Sequence, residues 1–363
     1  MPRLFLFLLI IFTAGCGNPA VVHYRPEVAG IGSERDILVV TDRARSADGF
    51  LDGHRSEKLR YLNVSVSVPP EREPGSLNFG PRAANPKTDF MLTAETALGE
   101  RAQFRQALRQ RLSALPRSQR EVVIFVHGYN TSFGWSVVRL AQLSEDFQLP
   151  GVSIAYSWPS AAHPLGYTHD RDSALFSRDG LESLLRDVFA SNAENVLLVG
   201  HSMGGLLVME TVRQMDLVDP GLLQRELDGL VLISPDIDIN LFRAQARRIT
   251  ALPQPFAILV SQRDPALRLS SRVNGRSERL GIVSNLEELG DIPVTVVDMT
   301  AFSGTARDNH FAIGTSSALI SLLSKGAALN RSFAQGQSDP LAGTVITVRK
   351  ATRMILSPGL VTY

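Results

Sequence analysis

From Glu121 onward the chain alternates short apolar runs with longer segments whose apolar residues recur every three or four positions. "EVVIFV" (Glu121–Val126), "VSIAYSW" (Val152–Trp158), "NVLLVG" (Asn195–Gly200), "GLVLISPD" (Gly229–Asp236), "FAILVSQ" (Phe256–Gln262) and "VTVVDM" (Val294–Met299) read as strands. "WSVVRLAQLSEDF" (Trp135–Phe147), "SRDGLESLLRDVFASN" (Ser177–Asn192) and "GLLVMETVRQM" (Gly205–Met215) read as helices; in the second, Leu181, Leu184, Leu185, Val188 and Phe189 share one face. Strands alternating with helices of this length predict an α/β fold, a mostly parallel central sheet with helices on both faces. With 363 residues, 44% of them hydrophobic, a sizeable core is within reach.

Upstream, "DILVV" (Asp36–Val40) and "YLNVSVSV" (Tyr61–Val68) read as strands, the second alternating cleanly. The Pro- and Gly-rich run 69–90 reads as a loop, and Glu95–Leu115 as a helix ended by Pro116. "SSALISLLS" (Ser316–Ser324) is the last helix expected, and "GTVITVRKATRMIL" in the tail is strand-like. The division that follows is a signal peptide over 1–15, a tether over 16–35, a main domain over 36–325 and a C-terminal extension, 326–363, without an assigned role.

The segment "VLLVGHSMGGLLVMETV" (Val196–Val212) poses the chemical question. A serine hydroxyl is a poor nucleophile until a base takes its proton, a carboxylate orients that base, and fixed donors receive the oxyanion. "G-H-S-M-G" fits the G-x-S-x-G elbow, in which Gly200 and Gly204 let a strand turn sharply into a helix and hold Ser202 out at the end of the sheet. The motif is short and weak alone, and the plain alternative is a structural turn. The apolar strand before it and the amphipathic helix after it favour the elbow.

On such a scaffold the partners come in the order serine, acid, histidine. Of the histidines at 23, 54, 127, 163, 169, 201 and 310, only His310 follows Ser202, in a loop after the last apolar strand. Asp264 follows the strand before that loop. Asp236 and Asp238 follow the strand before that and compete with it; any of the three could instead cap a helix. Strand position favours Asp264, and Asp308 is too close in sequence to His310 to orient its ring. The loop "HGYNTSF" after Val126 should supply one oxyanion donor, the N–H of Tyr129, and the elbow the other, the N–H of Met203. His127 is expected to brace its loop rather than act as the base, and His201 to point away from Ser202. Tyr129, Trp158 and Phe311 are candidates either to line a pocket or to pack.

Taken together, "VFVHGYNTSF"-like, "SWPS", "GYTHDRDSALFSRDGLESLL", "LVGHSMGG", "SPDID" and "SQRDPALRLSSRVNG" runs resemble the α/β-hydrolase fold, and more narrowly a bacterial family of α/β-hydrolases of unknown function; here the first reads "IFVHGYNTSF". The resemblance spans about residues 36–325. It implies Ser202, Asp264 and His310 as a triad and esterase-type chemistry, with no substrate attached. Asn309-His310-Phe311 departs from the Gly-His usual in such relatives, but the histidine is kept. The run with Arg171, Asp172 and Arg178 is expected to be a salt-bridged helix start rather than a substrate contact.

The N-terminus, "MPRLFLFLLIIFTAGC", carries Arg3, an apolar run too short to span a bilayer, and small residues up to Cys16, the one cysteine of the chain. It resembles a bacterial lipoprotein signal, with Thr13 where leucine is usual. That resemblance implies lipid attachment at Cys16. With Gly17 and Asn18 following and no Asp at the second position, it points to the outer membrane, facing the periplasm. A lone cysteine excludes an internal disulfide and a cysteine-based metal site, and no metal-ligand spacing or P-loop is present. The formal net charge of +1 gives no field for nucleic acid. The expected function is a serine hydrolase acting on a small-molecule or lipid carboxylic ester without cofactor. An acyltransferase or a non-catalytic envelope lipoprotein using the fold as a binding platform is the alternative.

Overall fold

The structure, a computed structural model, describes residues 22–78, 84–275, 277–302, 309–311 and 315, and the strands 344–348 and 351–355. The signal run, Cys16, Asp308 and the helix expected at Ser316–Ser324 lie outside the described residues.

Strands β1 (His23–Tyr24), β2 (Ser33–Arg45), β3 (Leu51–Val68), β4 (Met91–Ala97), β5 (Glu121–Val126), β6 (Val152–Tyr156), β7 (Asn195–His201), β8 (Gly229–Ile233), β9 (Phe256–Val260), β10 (Thr295–Asp298), β11 (Thr344–Val348) and β12 (Ala351–Ile355) are joined in one sheet. Its order is β1-β4-β3-β2-β6-β5-β7-β8-β9-β10-β12-β11. From β2 through β12 each neighbouring pair is parallel, whereas β2, β3 and β4 form an antiparallel meander on one side and β11 closes the other. Helices α1 (Arg101–Ser113), α2 (Phe133–Asp146), α3 (Tyr167–Phe176), α4 (Arg178–Phe189), α5 (Met203–Val218), α6 (Leu222–Glu226), α7 (Ile239–Arg248) and α8 (Pro265–Val273) fall between the strands.

Both faces of the sheet are covered, as the alternation of strand and helix requires. Val122, Ile124 and Val126 of β5 enter one apolar core with Leu108 of α1, Leu185 of α4, Met209 of α5 and Phe242 of α7. Val123 and Phe125 enter the other, against Val137, Leu140 and Ala141 of α2. A strand with a period of two between two such layers buries every residue.

The structure corrects the sequence reading in two places. Glu95–Ala97 belong to β4, paired with Leu62–Val64 of β3, rather than to a helix. The chain then turns at Gly99 (φ +72°), the Glu100 N–H donates to Gln103 Oε1 at 3.1 Å, and α1 starts only at Arg101. Cross-strand pairing outweighs the helical preference of a short Ala- and Glu-containing run. Within the stretch read as a tether, residues 22–35, β1 pairs with β4 and β2 has already begun at Ser33.

Candidate active site

β7 ends at His201, and Ser202 turns the chain into α5 with φ 53° and ψ −122°. A non-glycine residue there is strained by about 1–3 kcal/mol and persists only where its surroundings hold it. They do: Ser202 N–H donates to Ile233 O (2.9 Å), and Ser202 O accepts from the N–H groups of Gly205 (3.0 Å) and Asp236 (3.1 Å). Glycine is required around the turn. A Cβ on Gly204 would lie 2.3 Å from His127 O and 2.4 Å from Val126 O, so the start of α5 rests directly on the end of β5. One on Gly200 would meet Gly205 Cα at 3.0 Å.

Gly128 brings the loop after β5 against the serine, since a Cβ there would sit 2.8 Å from Ser202 Cβ and 2.9 Å from His201 Nδ1. The next residue is Tyr129, and Met203 is the first residue of α5, whose amide has no acceptor within the helix. Tyr129 and Met203 thus directly follow Gly128 and Ser202 in the two chain segments that meet here. Tyr129 directs its hydroxyl to Pro164 O and stands edge-on to Tyr167 at 5.5 Å.

His310 lies in a short 3-10 turn, Asn309–Phe311, after β10. Its Nδ1 is 2.7 Å from Asp264 Oδ2, with Asp264 wholly buried and the imidazole 26% exposed. The other carboxylate oxygen, Asp264 Oδ1, accepts from Ala266 N–H (2.9 Å) and Leu267 N–H (3.1 Å), capping α8. One carboxylate therefore both faces the imidazole and caps a helix. Burial opposes charge on His310, but the nearby Asp264 charge, its hydrogen bond and the charge of Asp236 outweigh burial and raise the pKa above the usual 6.5. With Nδ1 on Asp264, Nε2 is the nitrogen left to exchange a proton.

The rival carboxylates are engaged elsewhere. Asp238 caps α7 through Leu241 N–H at 3.0 Å. Asp236 forms a buried ion pair with Arg279 (3.3 Å) and accepts from Ser270 Oγ (2.6 Å) and Tyr167 OH (3.0 Å). His127 is sealed in the core, stacked on Trp158 at 4.7 Å, with Nδ1 2.8 Å from Gly128 O and Nε2 3.0 Å from Trp158 O. Burial first, then the charge of Arg43, lower its pKa to about 3, so it is a neutral brace. His201 turns from Ser202 towards the histidine loop: its Nε2 is 3.3 Å from His310 O, and its ring lies 4.9 Å from that of His310 and 4.5 Å from that of Phe311. Burial, and then the neighbouring His310, hold its pKa well down. Trp158 and Phe311 pack, at 0% and 7% exposure.

Within the polar run at α3 the decisive residue is Asp170. It accepts from Asn130 N–H (3.0 Å), Ala161 N–H (2.6 Å) and Ser160 Oγ (2.5 Å), tying the loop after β5 to the loop after β6. Arg178 instead pairs loosely with Glu210 at 3.6 Å. Asp170 stands among five other charged or titratable residues in "THDRDSALFSRD", so nothing local marked it out.

A parallel sheet covered on both faces, a strained serine between β7 and α5, and a His–Asp pair delivered by the loops after β10 and β9 define an α/β-hydrolase fold with its site at the C-terminal ends of the strands. The chain belongs to the family described as "Alpha/beta hydrolase of unknown function (DUF900)", whose model matches residues 100–325. Its fold is also similar to those of brefeldin A esterase, a bacterial homologue of human hormone sensitive lipase (15% identity, 88% of this chain and 82% of that one, TM-score 0.37), and of Aspergillus fumigatus lipase B (12%, 58% and 53%, 0.36). A fungal esterase from Rhizomucor miehei is a third (11%, 86% and 87%, 0.33). No curated protein sequence matches the chain.

Proposed function

We propose that the protein is a serine hydrolase acting on carboxylic esters, with Ser202 as nucleophile, His310 as base and Asp264 as the orienting acid. The observation that carries this reading is the 2.7 Å contact of His310 Nδ1 with buried Asp264, at the end of the sheet where Ser202 is held at positive φ. His310 Nε2 takes the Ser202 proton as Oγ attacks the ester carbonyl carbon. The carbonyl π electrons move to oxygen, where the amides of Tyr129 and Met203 receive the charge. Collapse expels the alkoxide, protonated by the imidazolium, and leaves an acyl-enzyme. A water molecule, deprotonated by His310, then attacks the acyl carbon, and collapse breaks the bond to Ser202 Oγ, which takes its proton back from the imidazolium. Asp264 stays ionised throughout and stabilises the imidazolium.

A fluorophosphonate probe tests the assignment. The wild-type protein should be labelled and Ser202→Ala should not; an unlabelled wild type, or equal labelling of both, refutes it. p-Nitrophenyl esters of graded acyl length then define the substrate. We further propose that Cys16 carries a lipid that tethers the enzyme in the bacterial envelope, on the sequence of the N-terminus alone. Metabolic labelling with an alkyne fatty acid should mark the wild type and spare Cys16→Ser, and a labelled Cys16→Ser chain would refute the anchor.

A further inference from the structure

The family match begins at residue 100, yet a side chain from well before it reaches the candidate site. Arg43 lies near the end of β2, where the β2–β3 register slips between Thr41 and Arg43 and again between Arg43 and Arg45. A bulge breaks strict alternation and re-aims a side chain. Here Thr41, Asp42 and Arg43 are buried in succession, at 0%, 3% and 1% exposure. Thr41 holds the irregular segment: its hydroxyl donates to Ser157 O (2.6 Å) and accepts from Arg43 N–H (3.1 Å).

The guanidinium so delivered spans the start of β3 and two loops, those after β5 and β6. Nε donates to Ser157 Oγ (3.1 Å), and Nη1 donates to Asp52 O (2.9 Å) and Ser160 O (3.0 Å). Nη2 donates to Thr131 O (2.8 Å) and lies 3.4 Å from His127 Nε2. These partners are carbonyls, a hydroxyl and an imidazole, none of them a carboxylate. A buried guanidinium without a directly bonded counter-ion is costly, and a methionine of similar volume would fill the space at less expense. What a methionine could not do is grip Thr131, Ser160 and Ser157 at once.

The gripped segment is the one that presents Tyr129. Gly128 abuts Ser202, and Asn130 sits in the left-handed region at φ 54°. Asp170 holds the Asn130 N–H and Arg43 the Thr131 carbonyl, so the strained residue is clamped on both sides. The hairpin is seated hard on the second gripped loop, for a Cβ on Gly53 would lie 2.8 Å from Ala161 Cα and 2.9 Å from Ser160 O.

We infer that Arg43 is a positioning residue for the reaction: by fixing the 128–131 loop to the 157–161 loop it aims the Tyr129 N–H at the oxyanion formed on Ser202. The N-terminal meander is then part of the catalytic apparatus rather than an added layer. This inference rests on Ser202 being the nucleophile.

The test uses the full chain and a p-nitrophenyl ester that the wild type turns over. Arg43→Gln should lower kcat about 100-fold with KM within about threefold, the magnitude of a lost oxyanion donor. Its affinity for an alkyl boronic acid, which forms a tetrahedral adduct on the serine, should fall in parallel with kcat. Arg43→Lys, which keeps the charge but not the fork, should recover part of the loss, and Ser157→Ala should show a smaller one. Where Arg43→Gln fails to fold, Arg43→Lys and Ser157→Ala decide. Folded variants with wild-type kcat and boronate affinity, or losses that only track the folded fraction, would overturn the inference. A wild type unreactive towards fluorophosphonate would instead bring down the Ser202 assignment, and this one with it.

Discussion

Asp264 divides its carboxylate between two tasks, and the division can be measured. Oδ2 faces His310 and Oδ1 caps α8. Asparagine caps helices about as well as aspartate but carries no charge to stabilise an imidazolium. Asp264→Asn is expected to lower kcat by roughly 10³-fold or more while shifting the unfolding free energy little. Asp264→Ala should add a stability loss of about 1 kcal/mol, read by urea denaturation. The pH profile has a definite sign. The base must be neutral, and its pKa in the folded protein is raised, so kcat/KM should climb with pH through a limb above 6.5. In Asp264→Asn the largest opposing contribution to burial is removed, so any residual activity should show that limb at lower pH. A wild-type limb below 6.5 would contradict the pairing. Motif and order single out Ser202 and His310 in the sequence; strand position only favours Asp264 over Asp236 and Asp238, because a carboxylate's direction is set by packing. Arg43 could not be read. Its burial depends on a bulge, and "ILVVTDRAR" looks like a strand running out into water.

At the scale of elements, the elbow works by contact between main chains. Gly204→Ala would drive a methyl group into the His127 and Val126 carbonyls, where no side chain can yield. It is expected to abolish soluble folded protein, as judged by gel filtration. Gly128→Ala presses instead on Ser202 and the His201 ring. It should leave far-UV circular dichroism unchanged and reduce kcat by at least about tenfold, because a small misplacement of a catalytic group is costly. The strands and helices from β5 to β10 that the sequence displayed most openly are those with the strongest apolar periodicity. β4 was hidden, because "MLTAETA" becomes a strand only through pairing with β3. Capping signals at Asp238 and Asp264 were visible as residue types but ambiguous, since the same residue can cap, catalyse or do both.

Across the whole molecule the sheet is continuous from the N-terminal meander to the C-terminal strands. Leu38, Val39 and Val40 of β2 pair with Ile154, Ala155 and Tyr156 of β6 and are fully buried. Its interior is far more extensive than the few loops that make up the candidate site, and the two need not respond alike to heat. α8 is a nine-residue helix that carries Leu269 and Val273 exposed on its outer side. Ends of short helices open locally well before a domain unfolds. Each time the first turn of α8 frays, Asp264 loses the two amides that hold Oδ1, and its grip on the imidazole loosens with them. Under the proposed function, turnover on warming should therefore decline reversibly while circular dichroism still reports an intact fold; coincident transitions would show that α8 melts only with the sheet. The enzyme's working temperature would then be set by a single helix turn, and raising it would call for a firmer start to α8 rather than a larger core.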